Sequence, residues 1–317
     1  QKDVTQFVLN RKTGLFRKLY QQTRDTKYLK ASVKFASLNA NYVLDYCYED
    51  FLSENQLNNR LIWTTDLIFT RQFANLKDLK KIKDPEYKDY VKKIYADFSR
   101  VKTFILKKRK KQAQTYQHPR ADSLFRVLQR KQQQINQFEY VVAHDKLKAD
   151  SLNQVKEKLA DLYMEVFLNE QEMNRYQENK NTSFQVHNNG VDEMMNGLDT
   201  HTLLMDYGLN DSTLAVFVLN DQEIDFYYQT IDSSFFRLVR DYYRGIKTSS
   251  TDFREVSRNL SEYLIKPVYE QMRDHKKLVI IPEGPLYRIP FESLFIPGKN
   301  RYLLHDYQFS YHYSSDL

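Results

Sequence analysis

Leu278-Val279-Ile280-Ile281-Pro282-Glu283-Gly284-Pro285-Leu286, followed closely by Ile289-Pro290-Phe291-Glu292-Ser293-Leu294, is the stretch whose reading decides the fold. A short apolar run, mostly β-branched, is bounded by Lys277 and Pro282. With no polar alternation, such a run suits a strand buried on both faces, as in a parallel sheet covered by helices. Pro282 cannot donate to a strand ladder and Gly284 admits a left-handed backbone, so the strand is expected to end in a tight turn. Phe291 and Leu294 then lead back to the core. These residues build a fold; none of them carries chemistry.

Working outward, strands are expected at Leu203–Tyr207 and Thr213–Leu219. Asn220-Asp221 reads as a two-residue hairpin loop, because both residue types tolerate positive φ. The return strand alternates Ile224, Phe226, Tyr228 and Thr230. Asp232 is placed to cap a helix through Phe236, Val239 and Tyr243 that closes near Gly245. A second helix starts at Asp252, carries Phe253, Val256, Leu260 and Leu264, and is interrupted by Pro267. Tyr302-Leu303-Leu304 and Phe309-Ser310-Tyr311 are two further short strand candidates.

The first 180 residues differ in kind. They hold Gly14 as their lone glycine and Pro85 and Pro119 as their prolines; the remaining glycines and prolines lie beyond residue 189. Gly and Pro punctuate short elements, so long helices are expected first and strands with turns afterwards. Ser53-Glu54-Asn55-Gln56 is a capping-box pattern opening a helix through Leu79. Asp84-Pro85-Glu86 opens another, with Tyr87, Val91, Ile94, Phe98, Val101 and Ile105 at helical spacing. His118-Pro119 ends that region. Leu124, Leu128, Ile135, Phe138 and Val142 line one side of the next helix, and Leu152, Val155, Leu159, Leu162, Val166 and Met173 the last. The chain is therefore read as α plus α/β. Residues 1–180 form an irregular all-helical array, tetratricopeptide-like or of long hairpins. Residues 181–199 are a linker, and 200–317 a sheet domain.

Charge divides at the same place. Residues 1–180 carry 35 basic and 22 acidic side chains, a net of +13, whereas 181–317 carry 13 and 19, a net of −6. Lys107-Lys108-Arg109-Lys110-Lys111 is the most concentrated basic run. With tyrosines at 87, 90, 95 and 116 it suggests a surface for phosphate backbones. One pentapeptide is a weak footprint, however, and a solvated helix end, where cations complement the macrodipole, is the favoured reading. Tyr87, Tyr90 and Tyr95 fall near the apolar stripe and are expected to be buried or half-buried.

Several classes of chemistry are excluded. The single cysteine, Cys47, rules out a disulfide framework or a cysteine-based metal cluster within the chain. None of the seven histidines stands in a metal-ligand spacing, so neither metal nor cofactor is expected. No apolar run is long enough to span a bilayer. Cys47, between Tyr46 and Tyr48 on a helix, reads as a packed thiol rather than a nucleophile, and it is compatible with a cytoplasmic setting. Ser310, His312 and Asp306 invite a serine-hydrolase reading, but no Gly-x-Ser-x-Gly elbow accompanies them. A chain beginning with Gln1 is expected to be a fragment or processed product.

From about Leu198 onward the sequence resembles the start of a CHAT domain, the caspase-like module found after tetratricopeptide-type arrays in proteins of bacterial type. The resemblance rests on Leu203–Tyr207 with Leu214–Val218, on Leu264-Ile265-Lys266-Pro267-Val268, and above all on 278–286 with 289–294. Tyr302–Tyr307 and Phe309–Ser315 follow in order, with Tyr313 where a proline is common before the Ser. It covers roughly the last 120 residues. It implies a cysteine protease of clan CD, in which a His activates a Cys thiolate. Those two residues lie on later strands of the family, so no residue of this chain is carried over as catalytic. It also implies that the unfinished sheet leaves the 278–281 region unpaired on one side.

Two readings follow. In the first, the helical array senses a protein or peptide partner and adjoins the leading part of a CHAT-type protease. In the second, a non-enzymatic helical scaffold carries a degenerate α/β interaction module. Nucleic-acid binding through the basic helical face is less favoured.

Overall fold

The computed structural model describes the backbone of residues 2–53, 59–115, 190–248 and 253–312, with scattered positions between 123 and 169. Side chains are described over 8–43, 68–103, 190–246 and 253–312 and at those scattered positions. The chain divides into two compact units. One comprises Gln1–Tyr46, Arg60–Phe104 and Val186–Leu317; the other comprises Cys47–Asn59 and Ile105–Gln185.

Within the second unit, Leu128, Ile135 and Val166 are buried together, with Leu124 and Leu162 packed against them. Those positions belong to the two apolar stripes read from the sequence. Lys131 pairs with Glu165 at 2.5 Å across the same cluster.

The chain begins with helices α1 (Lys2–Thr23), α2 (Thr26–Ser53), α3 (Asn59–Lys81) and α4 (Tyr87–Thr115), of which residues 47–53, 59 and 105–115 are assigned to the second unit. The Asp84 signal works as expected: its carboxylate accepts the Glu86 N–H at 2.9 Å and its carbonyl the Tyr87 N–H at 3.0 Å. Tyr87, Val91, Ile94, Tyr95, Phe98 and Val101 are all buried. Ser53, expected as the cap of a helix running through Leu79, is instead the last residue of α2, and that helix opens at Asn59. Glu54, Asn55 and Gln56 lie outside the described residues, as do the side chains of Cys47 and of Lys107–Lys111, although the backbone of the last two stretches is helical.

Inside the stretch expected as a linker, a short helix α5 (Val191–Asn196) buries Val191, Met194 and Met195. Strands β1 (Thr202–Leu209), β2 (Thr213–Leu219), β3 (Ile224–Thr230), β4 (Lys277–Ile281) and β5 (Gln308–Tyr311) then form one sheet in the order β3-β2-β1-β4-β5. β1, β2 and β3 are joined antiparallel, whereas β4 runs parallel to both β1 and β5. The run 278–281 is an interior strand, buried on both faces. Helices α6 (Ser233–Thr248) and α7 (Phe253–Leu264) provide the crossover between β3 and β4. Asp232 caps α6 through its carboxylate, which accepts the Ser234 N–H at 2.8 Å.

Each face of the sheet has its own helical cover. Leu203, Met205, Tyr207, Val216, Val218, Leu278 and Ile280 point to α6 and α7, meeting Phe235, Tyr242, Leu260 and Leu264 in one buried cluster. The alternate residues point the other way, to α3 and α4. There Phe217 lies 5.7 Å from Phe73, 5.5 Å from Phe98 and 4.9 Å from Tyr95, ring centre to ring centre, and Phe226 lies 5.5 Å from Phe73. Gly208 has a physical reason on this face. A Cβ there would stand 3.1 Å from the Phe98 ring and 3.2 Å from that of Phe73.

Four expectations are corrected. The β2–β3 loop has four residues, Asn220 to Glu223, since Leu219 pairs with Ile224. The Asn220 side chain accepts the N–H groups of Gln222 and Glu223 at 2.9 and 2.7 Å, closing the turn without positive φ. Gly245 does not close its helix, which continues to Thr248; a Cβ there would meet the Phe253 ring at 3.1 Å. The glycine is a point of close approach to α7. Tyr302-Leu303-Leu304 is not a strand, but a single bridge from Tyr302 to Phe295 followed by a 3-10 turn over Leu303–His305. Finally, 278–281 is paired on both sides. β5 takes the outer place, so that β3 and β5 are the edge strands of the sheet among the described residues.

Candidate functional site at the carboxyl ends of the parallel strands

In open α/β sheets, ligand and catalytic sites gather beyond the carboxyl ends of the parallel strands. Here β1, β4 and β5 end side by side, at Asp206–Leu209, Pro282–Gly284 and Tyr311–His312. The turn after β4 has the expected left-handed glycine, Gly284 at φ +54°. It continues as a 3-10 segment, Gly284–Arg288, from which Leu286 enters the core.

The next segment folds back over β5. The Tyr311 hydroxyl accepts the Phe291 N–H at 2.7 Å and also donates to the Glu292 carboxylate. Burial, and after it the Glu292 charge, hold that phenol's pKa well above its usual value. Phe291 is fully buried and its ring lies 5.1 Å from Tyr207. Ser293 anchors the far side, its hydroxyl 2.5 Å from that of Tyr242 on α6.

A charged group is buried under the same strand ends. Asp206 is on the α3–α4 face of β1 and has no exposed surface. Its carboxylate accepts from the Lys102 ammonium of α4 at 2.6 Å and from the Tyr95 hydroxyl at 3.3 Å. Lys102 also donates to the Tyr207 carbonyl at 3.0 Å and lies 3.4 Å from Glu283. Burial pushes the Asp206 carboxyl up to about 6, against the pull of Lys102. Burial alone would draw the Lys102 pKa down; the attraction of Asp206 and Glu283 outweighs it, and the net direction is up. At neutral pH the group is therefore ionic. Neither the Asp206 charge nor its partner was picked out in the sequence. The only signal was an acid inside an otherwise apolar strand, Leu203-Leu204-Met205-Asp206-Tyr207.

The residues considered for hydrolysis are not assembled. Ser310 sits on β5, His312 follows it with its N–H on the Ile280 carbonyl at 3.0 Å, and Asp306 pairs with Arg301 at 2.5 Å. No hydrogen bond joins the three side chains among the described residues. The tyrosines set aside as core residues behave so: Tyr87 and Tyr95 are buried and Tyr90 is half-buried, while Tyr116 lies outside the described residues. Asn210, first residue of a formal glycosylation triplet, is occupied by its own turn and by Thr70 at 2.6 Å. Among the residues searched, no cluster of His, Cys, Asp and Glu is arranged to hold a metal ion, and no helix is long and apolar enough to cross a membrane.

Helices on both faces of a mixed sheet, with three parallel strands ending together, make an α/β domain that follows a helix-rich N-terminal region. Residues 254–317 match the family model described as the CHAT domain. The matched stretch runs from α7 through β4 to β5 and is consistent with part of a CHAT domain. No curated protein matches the chain.

Proposed function

We propose that this chain joins a partner-sensing helical region to the leading part of a CHAT-type cysteine protease, whose His and Cys come from strands that follow β5. In such a pair the imidazole takes the thiol proton, the thiolate attacks the peptide carbonyl, and backbone amides hold the oxyanion. The partner sensed is a protein or peptide. The observation supporting this reading is the seating of α4: the helix that covers the sheet also reaches, through Lys102, the ends of β1 and β4. A signal received by the helices then has a short physical route to the end of the sheet where the chemistry belongs.

The test is turnover of a mixed fluorogenic peptide pool by the full-length gene product and by residues 1–317 alone. The longer product is expected to cleave after addition of its partner, through a thiol other than Cys47, and residues 1–317 alone are expected to be inert. Turnover by 1–317 that Cys47→Ala abolishes would overturn the reading. A full-length product with no His-Cys pair downstream of β5 would favour the non-enzymatic scaffold.

A further inference from the structure

Asp206 is the ladder partner of Phe217, on the sheet face where the rings of Phe73, Phe98 and Phe226 pack. A buried ion pair of this kind is a poor way to gain stability, since well-packed apolar side chains hold a helix against a sheet as well or better. It differs from apolar packing in being directional. The Lys102 ammonium donates to the Asp206 carboxylate at 2.6 Å and to the Tyr207 carbonyl at 3.0 Å, and forms an ion pair with the Glu283 carboxylate at 3.4 Å. The first two belong to β1 and the third to the turn after β4.

Glu283 and Asp206 are not equivalent ends of this link. Asp206 is sealed in the layer, whereas the Glu283 side chain is one third exposed (34%) and precedes a glycine at φ +54°. Without the cation between them, two carboxylates of like charge face each other at neighbouring strand ends, and only Glu283 is free to leave. Its departure would carry the turn with it, because the Leu286 N–H rests on the Glu283 carbonyl at 3.0 Å and the Ile289 N–H on that of Leu286 at 3.0 Å.

We propose that Lys102 is a positioning residue that holds the Glu283–Gly284 turn against the end of β1, so that a displacement of α4 is passed to the backbone following β4. Its regulatory use rests on the proposed sensing role of the helices; the mechanical link does not. Coupling of this kind is reciprocal, so loosening the turn must also loosen α4.

Hydrogen exchange on the 317-residue chain, read by mass spectrometry, tests the link without any cleavage assay, and so separately from the protease reading. Lys102→Met is expected to speed exchange over 284–289 at least tenfold, and Glu283→Ala at least threefold, with α4 amides near 99–103 also faster in Glu283→Ala. The double variant is expected to exchange no faster than Lys102→Met, because both changes cut one link. Rates over 284–289 within twofold of wild type in Glu283→Ala, or effects that multiply in the double variant, would overturn the proposal. If Lys102→Met fails to fold, Glu283→Ala decides alone: a part-exposed side chain is removed, and unchanged exchange at both 284–289 and 99–103 refutes the link.

Discussion

Asp97 offers a sharp test of how burial is balanced in the helical part. It lies on α4 and is 5% exposed, and its Oδ2 has no hydrogen-bond partner. The side-chain amide of Gln72 on α3 and the hydroxyl of Ser37 on α2 are buried beside it. Burial pushes the Asp97 carboxyl up to about 6, against the Arg100 and Lys93 charges and hydrogen bonding from Gln72 and Ser37. The folded chain therefore holds this proton more tightly than the unfolded one. As pH rises from about 4 to about 6 the unfolded chain releases it first, and stability falls through that window. Holding the charged carboxylate in this site therefore costs roughly 3 kcal/mol at neutral pH. Asp97→Asn keeps the shape, removes the charge and supplies an amide donor toward Gln72 and Ser37. It is expected to be more stable than wild type by about 2–3 kcal/mol at pH 7.5, and by almost nothing at pH 4. The assay is amide exchange over residues 91–101 at both pH values, where about 2.7 kcal/mol is a hundredfold slowing. Equal or faster exchange in Asp97→Asn at pH 7.5, or a difference that persists unchanged at pH 4, would refute the reasoning.

Other substitutions probe the remaining layers. Lys102→Met strands a buried carboxylate and should lower the unfolding free energy by about 3–5 kcal/mol in urea titrations. Phe217→Ala opens a hole at the centre of the aromatic layer and should cost about 3–5 kcal/mol, read from the shift in denaturation midpoint. Gly245→Ala should be destabilising by calorimetry, although Ala is the better helix former by about 1 kcal/mol, because its Cβ meets Phe253 at 3.1 Å. Neutralising Lys107–Lys111 should change stability by less than about 1 kcal/mol; loss of specific RNA or DNA retention in a gel-shift assay would instead promote the nucleic-acid reading.

The strands were readable because a sheet buried on both faces leaves uninterrupted apolar runs, as at 214–219 and 278–281. The helices were readable from caps that act locally, such as Asp84 and Asp232. Turns were read less well. Asn220 signals a turn by composition, but whether its side chain or a positive φ closes it depends on three-dimensional geometry. Gly245 looks like a stop because a neighbouring helix, invisible in the local sequence, is what excludes a Cβ. The aromatic positions of α3 and α4 showed that these helices bury a face, yet nothing in their periodicity says that the face belongs to a sheet. Lys102 was hidden for the same reason: its partners are more than 100 residues away.

That separation bears on how the molecule is made. Lys80 and Asp225, which tie α3 to the edge of the sheet, are 145 residues apart in the chain. At a synthesis rate of about 5–20 residues per second, the helical hairpin waits on the order of 7–30 s before its β-strands exist. Throughout that interval the rings of Phe73, Tyr95 and Phe98 have no sheet to cover them, and the Lys102 ammonium has no carboxylate. Conversely, a product begun at residue 200 would present Phe217, Phe226 and a charged Asp206 to water with no helix ever arriving, and should be recovered in inclusion bodies rather than in the soluble fraction.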